Sequence, residues 1–232
     1  MRTLVIGDIH GCLVALDALL DAVRPAPGDQ LITLGDYVDR GPDSRGVLDR
    51  LIALYEAGRV VPLRGNHDEM MLACRHDRSE RRLWLSYGGV ETLESYGHGP
   101  GDDDYDLVPE RHYDFLERDC RDWYETEGHL FAHAAIDSEL PLEGQDPYVL
   151  RWVRLDGPIV HRSGKVFICG HTRQIDGLPL DMKTTVCIDT GAYQHDGWLT
   201  CLHAETGHYW QANQYGELRQ SSLEELGHME AP

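Results

Sequence analysis

Four short segments of the sequence concentrate residue types that can hold metal ions and phosphate: Gly7-Asp8-Ile9-His10-Gly11, Gly35-Asp36-Tyr37-Val38-Asp39-Arg40-Gly41, Gly65-Asn66-His67-Asp68 and Gly170-His171-Thr172. Asp8 and His10, two residues apart, project from the same side of an extended segment and can grip one cation. Asp36 has two carboxylate oxygens and can bridge that cation to a second, to which Asn66 offers a neutral amide oxygen. His133 and His171 would complete the second set with imidazole nitrogens. Such a mixed oxygen and nitrogen set suits Mn, Fe, Co or Zn better than Ca. Two ions roughly 3.5–4 Å apart would lower the pKa of a shared water and present hydroxide for in-line attack on phosphorus. Taken singly, His133 or His171 reads as an ordinary hydrogen-bonded histidine; occurring with the other segments, both become ligand candidates. His129 stays structural, because in a strand it stands about 13 Å from His133.

The elements that must position these residues are legible as apolar runs. Thr3 to Ile6, Gln30 to Leu34, Val60 to Leu63 and Lys165 to Cys169 each precede one of the four segments. Asp, Asn and His therefore fall at the C-terminal ends of buried strands, the edge where open α/β sheets bind ligands. Between them, Leu13, Leu16, Leu19, Leu20 and Val23 recur at helical spacing until Pro25, and Val47, Leu48, Leu51, Ile52 and Leu54 do so until Gly58. Asp8, Asp36 and Asn66 are thus one β-α-β unit apart, on neighbouring parallel strands connected right-handedly. From Glu69 to Glu127 the pattern is helical, aromatic and charged, and is expected to form a helical insertion (69–127) whose aromatics mostly pack. Strands resume at His129 to Ala134 and continue as Val166 to Cys169, Thr185 to Asp189, Trp198 to His203 and His208 to Gln211. The expected fold is α/β: one domain spanning 1–232, a β-sandwich of two sheets flanked by helices, with a polar C-terminal tail (216–232) as a loosely held helix or coil.

Composition limits the partners. A formal net charge of -19 over 232 residues argues against nucleic acid, which demands a basic face. No apolar stretch approaches the length of a membrane span, and the chain passes directly into a strand at Thr3 without a signal-like segment. A cytoplasmic location and no membrane partner are the expectations. Six cysteines form no Cys-x-x-Cys pair and are expected to stay reduced. The acidic run Asp102-Asp103-Asp104-Tyr105-Asp106 lacks the glycine of a calcium loop and reads as a solvated surface.

These segments together resemble the phosphoprotein phosphatase family of calcineurin-like metallophosphoesterases, in particular its small bacterial serine/threonine phosphatases and diadenosine tetraphosphatases. The resemblance covers most of the chain apart from the insertion and the tail. It implies a metallophosphoesterase-type sandwich of two mixed sheets and two divalent ions, Mn²⁺ first, with Fe, Zn, Co or Ni as alternatives. Asp8, His10 and Asp36 would hold one ion, and Asp36, Asn66, His133 and His171 the other. Arg40, with Asn66, would bind phosphate oxygens, while His67 would protonate the leaving oxygen with Asp39 orienting its ring. The second phosphate-binding arginine falls in Leu150-Arg151-Trp152-Val153-Arg154, where the Trp-x-Arg spacing favours Arg154 over Arg151. Asp68 departs from the glutamate of the eukaryotic enzymes, and Ala134-Ala135 replaces Ala-Gly. The chemistry agrees with these roles: a guanidinium fork matches a pair of phosphate oxygens, and a positioned histidine is an effective general acid. No cysteine-phosphatase loop, Asp-x-Asp-x-Thr/Val segment or P-loop is present, which leaves water as nucleophile. The expected substrates are phosphate monoesters, phosphoserine or phosphothreonine proteins and also phosphotyrosine or another small phosphoester; the alternative is a dinucleoside polyphosphate such as diadenosine tetraphosphate.

Overall fold

The computed structural model describes residues 1–99 and 107–226, so the acidic run at Asp102–Asp106 and the end of the expected tail lie outside the described residues. The chain opens with two β-α units, β1 (Thr3–Ile6), α1 (Leu13–Val23), β2 (Gln30–Thr33) and α2 (Ser44–Glu56), followed by the short β3 (Val61–Pro62) and α3 (Asn66–His76). A helical stretch follows: α4 (Arg81–Trp84), a wide π-type turn over Leu85–Gly89, α5 (Val90–Ser95), and α6 (Glu110–Asp114) running into a second π-type turn at Phe115–Asp119. The remainder is β-rich, with β4 (Trp123–Glu125), β5 (His129–Ala132), α7 (Pro147–Trp152), β6 (Val166–Cys169), β7 (Leu180–Asp181) and β8 (Thr185–Cys187). It closes with β9 (Leu199–His203), β10 (His208–Ala212), β11 (Leu218–Ser222) and α8 (Leu223–Leu226).

These strands form two mixed sheets, one in the order β11-β10-β9-β1-β2-β3 and the other β4-β5-β6-β8-β7. β1, β2 and β3 run parallel as neighbours, with Ile6 beside Thr33 and Thr33 beside Pro62, so the loops carrying Asp8, Asp36 and Asn66 emerge together. β5, β6 and β8 are likewise parallel. Alternation along each strand explains the layering. Val5, Ile32, Phe131, Ile168 and Val186 point between the sheets. Leu4, Ile6 and Leu31 face outward onto α1 and α2, where Leu16, Leu19, Leu48 and Leu51 cover them. Leu130, Phe167 and Cys187 face the opposite side, under Leu142 and Leu150. A strand covered on both faces must be apolar throughout, which is why β1, β2 and β6 read as unbroken runs. Each fully buried Leu, Ile, Val or Phe contributes about 1.5–3 kcal/mol to holding the frame.

Two stretches depart from the sequence expectation. Trp123–Glu125, assigned to the helical insertion, is a strand pairing antiparallel with β5; three residues are too few for periodicity to decide, while adjacent Trp and Tyr favour an extended chain. Leu218–Ser222, expected as a loose tail, forms the outer strand of the first sheet in register with β10. Its side chains are mostly polar because an edge strand leaves much of its surface to water. All six cysteines are buried and free of disulfides. Among the described residues no helix is long and apolar enough to cross a membrane.

Candidate functional site

The loops after β1, β2, β3, β5 and β6 converge on one place between the sheets' edges. The first two are laced together, with the N–H groups of Ile9 and His10 both donating to Asp36 O at 3.1 and 2.8 Å and Gly11 N–H to Tyr37 O at 2.9 Å. Tight reversals follow. Among the described residues seven non-glycine positions have left-handed backbone, and five of them are His10, Asp36, Asp39, Arg40 and His171. Such conformations cost free energy and persist where surrounding structure over-determines them, as at functional sites. Glycine is required where the loops touch: a Cβ on Gly65 would stand 2.0 Å from Asp36 Oδ1, and one on Gly170 would stand 1.9 Å from Asp8 Oδ1. Asp68 ties the second and third loops, accepting from Asp36 N and Gly65 N through Oδ2 and from Tyr37 N through Oδ1, each at 2.9 Å.

The histidine tautomers follow from their partners, because a carbonyl oxygen can only accept. His10 Nδ1 donates to Val38 O at 2.9 Å, His133 Nδ1 to Leu34 O at 2.9 Å and His171 Nε2 to Trp152 O at 3.1 Å. Each ring therefore turns the lone pair of its other nitrogen inward, the outer-nitrogen arrangement common to metal-binding histidines. His133 Nε2 and His171 Nδ1 both lie 3.0 Å from Asn66 Oδ1. Asp36 stands between the two groups, Oδ2 at 3.4 Å from His10 Nε2 and Oδ1 at 3.5 Å from His133 Nε2. Four acceptors thus point at one another with no proton to share, which a cation relieves. Burial lowers the pKa of His10 and of His133, and burial with neighbouring His133 lowers that of His171 to about 4, so all three stay neutral and able to ligate. These donors fit divalent ions of the Mn to Zn series. His10, Asp36 and His67 form one tight group and Asp36, His133 and His171 another. Asp8 is buried at the same place but falls outside both groups, its carboxylate accepting from the His171 N–H at 3.1 and 3.2 Å. Burial and the charges of Asp189 and Asp36 push its pKa up, a cluster of carboxylates that again calls for positive charge.

His67 differs from the other three. Its outer Nδ1 meets a carboxylate, Asp39 Oδ2, at 2.7 Å rather than a carbonyl. Burial opposes protonation, yet the Asp36 charge and the Asp39 hydrogen bond outweigh it and raise the His67 pKa. Arg40 reaches both sides of the site, donating to His10 Nε2 and to His67 Nε2 at 2.8 Å each, with its guanidinium 4.6 Å from the centre of the Tyr193 ring. The two candidate second arginines are deployed differently. Arg151 is bound to Glu69 at 2.9 Å and to Asp122 at 2.6 Å. Arg154 is exposed, near enough to depress the His171 pKa, and pairs with no acidic group among the described residues. Residues not anticipated from sequence complete the site. Asp189, pushed up to about 6 by burial, sits near Asp8, Asp36 and Arg40. It follows an apolar run and precedes Gly191, the same signal that marks Asp8 and Asp36. Trp84 and Thr92 bond to Asp39.

The sequence profile described as Calcineurin-like phosphoesterase matches residues 1–174. The chain belongs to that family. Over 86 residues it is 44% identical to serine/threonine-protein phosphatase 1 of Salmonella typhimurium, covering 37% of this chain and 38% of that protein. Over 108 residues it is 46% identical to a symmetrical bis(5'-nucleosyl)-tetraphosphatase of Acidovorax sp. strain JS42, covering 43% and 38%. The matched stretches thus span about two fifths of the length of these curated relatives. Among solved structures, the cold-active protein-tyrosine phosphatase of a psychrophilic Shewanella superposes with a TM-score of 0.60 over 94% of this chain and 80% of that one, at 19% identity, a likeness of fold. Calcineurin-like phosphoesterases use divalent metal ions, in keeping with the His and Asp groups described above.

Proposed function

We propose that this calcineurin-like phosphoesterase hydrolyses phosphate monoesters, on phosphoserine or phosphothreonine proteins and also on phosphotyrosine. Asp8, His10 and Asp36 would hold one divalent ion and Asp36, Asn66, His133 and His171 the second, with Mn²⁺ the first candidate. When bound, the ions supply hydroxide at neutral pH and neutralise charge on the phosphoryl group. Arg40 then has a double part. A phosphoryl group that takes both of its N–H forks frees His67 Nε2, the atom from which a proton would pass to the departing oxygen. Asp39 keeps the other ring nitrogen protonated and the ring in place. The Asn66 amide NH₂ group and Arg154 would supply further donors to phosphoryl oxygens. Buried free cysteines fit a reducing compartment, and we place the protein in the cytoplasm. Its charge of -19 argues against a nucleic-acid partner.

The choice of substrate is carried by a cavity of ≈ 590 Å³ beside Arg40, walled by Tyr87, Tyr193, Gly88, Ser86 and Glu91. The Tyr87 ring lies 6.3 Å from that of His67, so the cavity adjoins the proton donor. Of its lining residues only Arg40 is cationic, and Glu91 is acidic. Symmetrical cleavage of a dinucleoside tetraphosphate would drive a nucleoside diphosphate into this space, and its extra negative charges would meet Glu91. A seryl or tyrosyl side chain carries no such charge. The second reading, hydrolysis of dinucleoside polyphosphates, is favoured by the likeness to the Acidovorax tetraphosphatase. One experiment separates them: kcat/KM for a phosphoserine peptide, p-nitrophenyl phosphate and diadenosine tetraphosphate, before and after chelation and with Mn²⁺ restored. The expected result is metal-dependent turnover of the first two. A higher kcat/KM for the dinucleotide would favour the second reading, and full activity of protein assayed as metal-free would refute the mechanism.

A further inference from the structure

Asp39 is the carboxylate behind His67, and it is held from a part of the chain that sequence reading treats as an insertion. Its Oδ1 accepts from Trp84 Nε1 at 2.9 Å and from Thr92 Oγ1 at 2.8 Å, while Oδ2 takes His67 Nδ1 at 2.7 Å and shares the indole N–H at 3.1 Å. The Asp39 N–H returns a bond to Thr92 Oγ1 at 2.8 Å. A hydroxyl has one proton and two lone pairs, so Thr92 can serve both directions at once and close a ring around Asp39. Asp39 and Thr92 are fully buried, and Trp84 is 1% exposed. The same segment grips the next residue, since Arg40 N–H donates to Gly88 O at 3.1 Å. Two glycines permit this approach: a Cβ on Gly88 would stand 2.7 Å from Arg40 N, and one on Gly89 would stand 2.6 Å from the Trp84 ring. Asp39 and Arg40 carry φ of 73 and 70°, consecutive left-handed residues that need an outside clamp. π-type turns such as Leu85–Gly89 recur at functional sites.

We propose that the segment from Trp84 to Thr92 belongs to the proton-donating apparatus, with Trp84 and Thr92 as positioning residues that act on His67 through Asp39. The proposal rests on the reading of His67 as the general acid. A carboxylate pinned on both oxygens cannot swing, so the imidazole it holds keeps Nε2 aimed at the departing oxygen. Nothing in this function requires Trp84 or Thr92 to touch substrate.

The test uses Trp84→Phe, which keeps a ring packed on Gly89 and removes the N–H, and Thr92→Val, which keeps the shape and removes the hydroxyl. For each, kcat and KM are measured on a phosphoserine peptide and on p-nitrophenyl phosphate, with the melting temperature, in the wild-type and His67→Asn backgrounds. Alkoxide departure needs a proton and p-nitrophenolate departure scarcely does, so kcat should fall roughly tenfold on the peptide, at least about threefold more than on p-nitrophenyl phosphate, with KM little changed. In the His67→Asn background neither substitution should lower peptide turnover further, because residues acting through one group are not additive. Equal losses on both substrates, or a full loss persisting without His67, would overturn the proposal while leaving the acid reading intact. If His67→Asn itself harms both substrates equally, the acid reading fails and takes the proposal with it.

Discussion

Asp68 offers the most direct test of how the site is built, because its carboxylate takes backbone N–H groups, that of the candidate ligand Asp36 among them, and so fixes two of the loops that carry the ligands. It is fully buried at the third position of α3 and receives the N–H groups of Asp36, Tyr37 and Gly65, all at 2.9 Å. Burial and the Asp36 charge push its pKa up to about 7, whereas three N–H donors and no acceptor favour the carboxylate. Asp68→Asn keeps the shape. Its amide oxygen can take the two donors now on Oδ2, but the NH₂ group then faces the Tyr37 N–H. The lost bond leaves a buried donor unmatched, about 1–3 kcal/mol, and the two retained bonds weaken from about 1.5–3 toward about 1 kcal/mol each as the charge disappears. The sum is about 2–7 kcal/mol, a large part of the 5–15 kcal/mol typical of a folded domain. Displaced second-layer partners also weaken metal affinity, by about 10–100-fold. Urea denaturation should show the lower midpoint, and calorimetric titration of the metal-free protein with Mn²⁺ the weaker binding. An Asp68→Asn variant with unchanged midpoint and unchanged Mn²⁺ affinity would refute the argument that Asp68 holds the ligand loops.

Asp36→Asn should be the harshest single ligand change, since Oδ2 faces His10 and Oδ1 faces His133; wild-type metal content and kcat in this variant would show that Asp36 does not bridge. Arg154→Ala should raise KM roughly tenfold at unchanged melting temperature, by loss of a charge-assisted contact to phosphate. Arg151→Ala should instead lower stability by about 1–3 kcal/mol, because it releases Glu69 and Asp122; a reversed pattern would assign the phosphate contact to Arg151. Asp29 is held well below the usual carboxylate range by Arg2, whose N, Nε and Nη2 all donate to it, and by Ala26 N. A depressed folded pKa gives stability that is complete above the unfolded pKa of about 4 and is lost as pH falls through the folded value. Asp29→Asn should therefore cost about 1–3 kcal/mol at pH 7 and about 1 kcal/mol less at pH 3, measured by urea melts. Equal costs at both pH values would show that the Asp29 charge contributes nothing.

What could be read from the chain was whatever a residue needs from its immediate neighbours. A strand buried on two faces must be apolar, and a loop that doubles back beside a carboxylate must carry glycine. Asp8, Asp36 and Asn66 could therefore be placed at the ends of adjacent parallel strands from spacing alone, and they follow the parallel neighbours β1, β2 and β3. Edge elements obey weaker rules, which is why β4 and β11 escaped: one is three residues long, and the other shows polar side chains to water.

The partners of Asp39 escaped for a different reason. Trp84 and Thr92 lie 45 and 53 residues away in sequence, and an aromatic within a helical stretch has no local feature that separates an indole packing on a core from one that also donates to a carboxylate. The distinction exists only once the π-type turn folds Gly88 against Arg40. Even so, the sequence carries the pair Gly88-Gly89 inside this helical stretch, and two consecutive glycines in a helix need a reason, since each costs about 1 kcal/mol relative to alanine. Here the reason is contact: neither position has room for a Cβ against Arg40 or the Trp84 ring. A glycine pair inside an otherwise helical insertion thus marks where the insertion meets the site, and Gly89→Ala should dislodge Trp84 from Asp39 without altering any residue that bears a charge.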